Sequence, residues 1–383
     1  MHRRHLFPFL LLCTMISWRG QAAAFHQSPP FITVDEFVAL HPEQHSLMQT
    51  FSQIVAQPGV KQGKIHKKRI KIAVIYPDIQ VSDYWRRSLH SFIERLDEIG
   101  INHSVTEYSS KTSNEYKAQF GQVQNALEDD PDYLILTFDI FRHKTLVERL
   151  LKRKRPKIIL QNILTPLRDW EGFQPFMYVA FDHTIGARLL ADYFTMRTGG
   201  KGTYGLLYFP TGYVNTMRSD TFRNLMERTS IKLVKSAHTD STVADAAKAA
   251  REILSHQTVD FIYATSTDIA LGAIKAIKQR HQSGKVLING WGGGSAELKA
   301  LMKGDLDVTI MRMNDDNGVA MAEGIRLDQE GRGDTVPTIY SGEMVLIEKG
   351  IAPHDLEMLI KRAFRYSGKP SLDIPIHDHK VTK

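Results

Sequence analysis

Residues able to hold a small polar ligand stand just after apolar runs along the 383-residue chain. Gln80, Ser82 and Trp85 follow "IAVIYP", Gln161 and Asn162 follow "KIIL", and Arg218 follows "GLLYFPTGYVNTM". Ser266, Thr267 and Asp268 follow "FIYAT", Trp291 follows "VLING", and Arg312 follows "VTIM". Arginine presents a rigid fork suited to paired oxygens on a compact ligand. An indole adds flat apolar contact and one N–H donor. The amides and hydroxyls would orient a hydroxyl-bearing molecule. Each residue alone has a structural alternative. Thr267 or Asp268 can cap the helical stretch "DIALGAIKAIKQ", Ser82 or Asp83 can cap "YWRRSLHSF", and Arg218 can pair with Asp220 on the surface. Recurrence at run after run points to a shared binding site.

Catalytic patterns do not accompany them. H-E-x-x-H, G-x-S-x-G and G-x-x-x-x-G-K-[ST] are missing from the sequence. "TGGKGT" (198–203) follows a helical stretch and precedes a strand, the wrong order for a phosphate loop. "GWGGGS" (290–295) has the right order and reads either as a flexible hinge or as an anion nest. "HDH" (377–379) lies in the tail, where incidental histidines are the ordinary case. No catalytic residue, metal site or cofactor is expected.

The elements that must position these residues alternate from residue 70 onward. Short β-rich runs such as "IKIAVIYP", "YLILTF", "MYVAFD" and "DFIYATS" are separated by segments of helical periodicity. Near-continuously apolar strands that alternate with helices indicate parallel sheets covered on both faces. Ten such runs exceed one tidy unit, which predicts an α/β fold of two doubly wound lobes. In open α/β sheets ligands bind beyond the carboxyl ends of the strands, where the residues above stand. Before residue 70, "TVDEFVAL" has a capping-box signature in Thr33 and Glu36, and "EQHSLMQTFSQIVAQ" predicts a second helix. Residues 25–69 thus form a helical extension that ends in the basic linker "KQGKIHKKRIK".

The first 24 residues have a basic start, a short apolar run and "AAA" at the end, the pattern of a secretory signal peptide cleaved after Ala24. Cys13, the single cysteine, lies within it. A cysteine-free exported chain fits a bacterial periplasm better than a disulfide-forming extracellular setting. Of 49 Lys+Arg, three belong to the signal segment, leaving 46 against 42 Asp+Glu, or +4. That is no nucleic-acid footprint. No later stretch is apolar enough to span a membrane.

From about residue 70 to 365 the chain resembles the ribose-binding (type I) family of periplasmic binding proteins. "VAFDHTIGARLLADYF", "MRSDTFRNLM", "ATSTDIALGAIKAIK", "NGWGG" and "TIMRMNDDNGVAMAEG" carry the resemblance. Through "QVSDYW", "LQNI", "NTMRSD", "ATSTD", "GWGG" and "TIMR" it is similar, within that family, to the receptors for the quorum-sensing signal autoinducer-2. The resemblance implies two lobes joined by three crossovers, near 181–184, 290–294 and 335–342. The first lobe would comprise 70–182 plus about 292–334. The second would comprise 183–291 plus about 335–365, with 366–383 as a tail. It implies a furanosyl borate diester as ligand, boron entering only as part of it. The ligand would be held by Gln80, Ser82, Trp85 and Asn162 from the first lobe. Arg218, Ser266 and Thr267 would come from the second lobe, Trp291 from a crossover, and Arg312 from the returning first lobe. It further implies signalling through the periplasmic domain of a membrane-bound sensor histidine kinase. Ordinary sugar binders of the family typically have a carboxylate where this chain has Gly290-Trp291-Gly292, Asn-Asp where it has Ser266-Thr267, and an amide where it has Arg312. Those changes favour a small anion over a neutral polyol. The alternative is a sugar-binding component of an ABC importer.

Overall fold

The computed structural model describes residues 31–61, 68–77, 81–110, 116–137 and 140–368. The expected signal segment with Cys13, Gln80 and the "HDH" tail lie outside the described residues. Five parallel strands come first: β1 (Ile70–Pro77), β2 (His103–Ser110), β3 (Tyr133–Leu136), β4 (Lys157–Gln161) and β5 (Met177–Phe181). A second set follows: β6 (Lys201–Tyr208), β7 (Ser230–His238), β8 (Phe261–Ala264), β9 (Leu287–Gly292) and β10 (Val308–Arg312). Two more close the chain, β11 (Ile339–Gly342) and β12 (Met344–Glu348). They build two six-stranded sheets, ordered β11-β5-β4-β3-β1-β2 and β12-β10-β9-β8-β6-β7. All pairings are parallel except β12, which runs antiparallel to β10. The expected α/β fold of two doubly wound parallel sheets is what forms. Buried strands such as "YLIL" and "FIYA" have no polar face because helices cover both sides.

The chain passes between the sheets three times. The first passage follows β5, where Asp182 caps the helix His183–Thr198 through bonds from the Thr184 and Ile185 amides. That helix packs on the second sheet through Leu190 and Phe194. The other passages differ from the sequence expectation. β9 does not lead back to the first sheet. β10 pairs with β9 (Val308 opposite Asn289), so Arg312 ends a strand of the second sheet. The return comes at Met313 and Asn314, before the helix Asp315–Gln329. "TIYSGEMVLIEKG" is divided, β11 joining β5 and β12 joining β10, with Glu343 between them. The physical reason is that "VTIM" and "TIYSG" are short and largely buried on both faces, so neither shows an alternation that would mark its sheet. The second and third passages are tied together by the Met313 amide on the Glu343 carbonyl, 2.9 Å.

The helix Asp315–Gln329 lies against the helix Tyr84–Glu98, whose apolar residues recur every three to four positions (Trp85, Leu89, Phe92, Leu96). Gly318 permits that approach, because a Cβ there would strike the Ser88 carbonyl. Arg95 and Glu323 form a buried ion pair across the seam, Arg95 Nε to Glu323 Oε1 at 2.7 Å. The N-terminal extension is part of this first body. Thr33 and Glu36 make the expected reciprocal cap, at 3.1 and 2.8 Å. Phe37, Phe51 and Val55 are buried in its core clusters. No described helix is long and apolar enough to cross a membrane.

Candidate functional site

The carboxyl ends of the two sheets meet, and side chains from both lie at the junction. Arg312, at the end of β10, places its guanidinium carbon 4.1 Å above the Tyr84 ring and 5.7 Å from the Phe181 ring. Arg218 lies in a π-helical turn, Thr216–Asp220, between two short α-helical segments. Such insertions are frequent at functional positions. Its guanidinium carbon is 4.4 Å above the Trp291 ring. Nη1 donates to the Thr265 carbonyl at 2.7 Å and Nε to His183 Nδ1 at 3.4 Å. Nη2 has no hydrogen bond among the described residues. Arg218 and Asp220 do not pair: Arg218 is buried, and Asp220 faces Arg223 at 3.8 Å.

Both arginines are about 5% exposed, and neither has a carboxylate within ion-pair distance among the described residues. The other deeply buried arginines are matched: Arg95 by Glu323 and Glu98, Arg326 by Glu323 and Glu330. Burial and the neighbouring Arg312 charge push the Arg218 guanidinium down to about 9. Burial likewise pushes Arg312 down. A buried charge without a partner is costly, and an anion placed between the two would relieve that cost. Glu297 is the one carboxylate acting on both. Its oxygens are already engaged by the Trp291 amide (2.8 Å), the Gly293 amide (2.8 Å) and the Thr309 hydroxyl (2.5 Å).

That last arrangement revises "GWGGGS". The amides of Trp291 and Gly293 are satisfied internally by Glu297, so the segment is neither a free anion nest nor a loose hinge. Gly293 has φ +64° and a Cβ there would lie 2.5 Å from the Met311 Cα, so only glycine fits. The Trp291 ring fits because Gly186 has no side chain; a Cβ there would be 2.5 Å from the indole.

Four buried polar atoms at this junction make no hydrogen bond among the described residues: Asn162 Oδ1, His183 Nε2, Trp291 Nε1 and Arg312 Nε. Trp291 Nε1 is close to the Tyr263 hydroxyl but makes no bond with it; that hydroxyl donates to the Arg218 carbonyl at 3.1 Å. Asn162 has φ +68°, in the left-handed region that asparagine tolerates better than most residues. Buried polar groups in folded proteins are normally paired, so four unpaired ones together mark where polar partners belong.

The remaining expected residues divide. Trp85 packs edge-on to Tyr84, ring centres 4.5 Å apart, and reaches the arginine cluster through that ring. Ser82 is half-buried, its amide near the Asp268 carboxylate. Ser266 caps the helix Thr267–Gln279 through the Ile269 amide, 3.4 Å. The Thr267 hydroxyl donates to the Trp291 carbonyl at 3.0 Å. Gln161 is a buried strand-end amide that donates to the Ser88 hydroxyl at 2.7 Å.

Asp83 does not cap its own helix. Its carboxylate accepts from Arg87 Nε and from the Ser295 hydroxyl, both at 2.6 Å, and from the Ser295 amide at 3.4 Å. Asp83 thus caps a helix of the opposite lobe, Ser295–Met302. The cap residue there, Gly294, has no side chain, and a Cβ at Gly294 would collide with the Asp83 carboxylate. Arg87 is mostly buried and bonds Ser295, Ser367 and Gly368. A second tie joins the Val81 amide to the Asp268 carboxylate at 3.1 Å. Tyr84, His183, Glu297 and Asp83 are thus site residues that the strand-end rule passed over. Applied to β5, the same rule would have reached His183, two residues past Phe181.

The periplasmic binding protein domain family matches residues 72–323. The chain belongs to that family. It is a family of binding proteins rather than enzymes, and its compartment is the periplasm. A D-xylose-binding periplasmic protein of Haemophilus influenzae is 23% identical over 260 residues, covering 64% of this chain and 74% of that protein. An ABC transporter periplasmic solute binding protein of Actinobacillus succinogenes with bound D-allose superposes with a TM-score of 0.65 at 21% identity. It covers 73% of this chain and 98% of its own. The fructose-binding periplasmic domain of a hybrid two-component system gives a TM-score of 0.65 at 18% identity, with 76% and 93% coverage. These periplasmic binding proteins are named for sugars. Their names agree better with the importer alternative than with the autoinducer-2 resemblance, to which they lend no support.

Proposed function

We propose that the protein is a periplasmic receptor that closes its two sheet-centred lobes on a compact, oxygen-rich ligand carrying one negative charge. The observation that carries this is the pair of buried arginines, Arg218 and Arg312, without carboxylate partners. Two cations against one internally engaged carboxylate, Glu297, leave a place for one further negative charge. A furanosyl borate diester, the autoinducer-2 of LuxP-type receptors, has that charge, that size and oxygens on every side. In this reading residues 1–24 are an export signal, and Gln80, Ser82, Trp85, Asn162, Ser266, Thr267 and Trp291 complete the contacts. Closure is then reported to the periplasmic domain of a membrane sensor kinase. The fructose-binding periplasmic domain of a hybrid two-component system, among the structural neighbours, supports this reading.

A second reading is delivery of a neutral pentose or hexose to an ABC importer. The xylose- and allose-binding relatives favour it. The ligand that the protein retains when purified from a host making both classes of molecule separates the two. The first predicts a boron resonance in the released material. Release of a neutral monosaccharide without boron would overturn it.

A further inference from the structure

His183 opens the helix His183–Thr198 at the first passage between the sheets and is 3% exposed. Its Nδ1 receives the Arg218 Nε proton at 3.4 Å. That bond keeps the lone pair on Nδ1 and assigns the ring proton to Nε2. Nε2 is buried and has no hydrogen-bond partner among the described residues. The groups around the ring supply no anion to charge it. Asp182, its neighbour, spends its carboxylate on the Thr184 amide and hydroxyl and the Ile185 amide. Tyr213 and Trp291 present rings, each 6.2 Å centre to centre. Arg218 and Arg312 are cations, and only the Asn162 carbonyl favours a second proton. Burial, Arg218 and Arg312 together hold the imidazole well below the ordinary histidine range. A polar ring kept neutral between two arginines, with one nitrogen engaged and the other unused, is costly as filler.

We infer that His183 is a specificity-determining residue of this site: its Nδ1 fixes the Arg218 fork, and its Nε2–H is a neutral donor to an oxygen of the bound ligand. The inference rests on the anion-binding reading above. Arg218 then has two of its three donor edges committed, to His183 and Thr265, and turns Nη2 to the ligand. A neutral donor beside two cations favours ligands that gather several acceptor oxygens at one corner.

The test combines calorimetry with nitrogen-15 NMR of the imidazole. Titrants are synthetic autoinducer-2 with boric acid, D-ribose, D-xylose and D-allose. His183→Phe keeps the ring and removes both nitrogens, and should lose about tenfold in affinity for whichever titrant binds, the scale of leaving one buried hydrogen bond unmade. His183→Gln, which can present a donor near Nε2, should bind more tightly than His183→Asn, which reaches only the Nδ1 position. In the ligand-free wild type the ring should be the Nε2–H tautomer and stay neutral as pH falls through the ordinary histidine range, and bound ligand should shift the Nε2 resonance. Wild-type affinity in His183→Phe, equal affinity for the Asn and Gln variants, or an Nε2 resonance unmoved by bound ligand would overturn the inference. Should only a neutral sugar bind, the anion reading fails, while His183 is still judged with that sugar. Should none bind, the ligand-free ring decides: an Nδ1–H tautomer, or a ring that charges near pH 6.5, refutes the assignment.

Discussion

Arg218 and Arg312 could be picked out because an arginine at or beyond the end of an apolar run is conspicuous in sequence. Their lack of partners was not visible there, since pairing depends on which carboxylates the fold brings near. Tyr84 and His183 escaped for a related reason. An aromatic or imidazole at a helix start looks like ordinary core until Arg312 is found over one and Arg218 against the other. Truncation of either arginine, Arg218→Ala or Arg312→Ala, should weaken ligand binding by about 2 kcal/mol or more, by analogy with truncated charge partners at buried sites. Calorimetry reads this directly, and unchanged affinity would remove that arginine from the site. Arg218 also predicts a pH dependence. Its guanidinium titrates at about 9 in the free protein, and a bound anion raises that value. Below pH 9 it is charged before and after binding, so its contribution is flat. As pH rises through 9 the free protein loses a proton that the complex retains, and affinity falls by up to about tenfold per pH unit. Arg218→Ala should lose that slope, which separates it from ionisation of the ligand.

At the scale of elements, helix caps were the most legible feature and also the most instructive error. The Thr33–Glu36 box forms as read, because both partners lie within one turn. Asp83 has the right residue type at the right position, yet it caps Ser295–Met302 across the junction, and local sequence holds no sign of that. Burial disfavours the Asp83 carboxylate, but Arg87 and Ser295 outweigh this and hold it below the usual range. Its stabilising effect is therefore present at neutral pH and lost as pH falls through that depressed value. Asp83→Asn should weaken ligand affinity several-fold without touching the ligand, by loosening the closed arrangement. Gly294→Ala should do the same by steric collision with that carboxylate. Small-angle scattering should show the ligand-bound Gly294→Ala protein less compact than wild type; equal compactness and affinity would remove the latch. Strand membership was legible for β1 to β9 and not for β10 or β11, because a strand buried on both faces carries no mark of its sheet.

For the whole molecule, alternation of apolar runs and helical segments was enough to predict two doubly wound sheets, since that pattern has few other packed solutions. The N-terminal extension reads as an appendage in sequence but packs as part of the first body. Phe51 is 1% exposed there, and the Thr338 amide donates to Gln44 at 2.8 Å. Phe51→Ala should therefore cost about 3–5 kcal/mol of stability, the range for emptying a buried aromatic site. A melting temperature left unchanged would show that the extension is dispensable. The central claim concerns the charge of the ligand that both lobes enclose. Its most direct test is calorimetry of the ligand-free protein with synthetic autoinducer-2, with and without boric acid, beside D-xylose and D-allose. The account predicts saturable heat that depends on borate and little from the neutral sugars. Tight binding of a neutral sugar with no borate-dependent heat would contradict it.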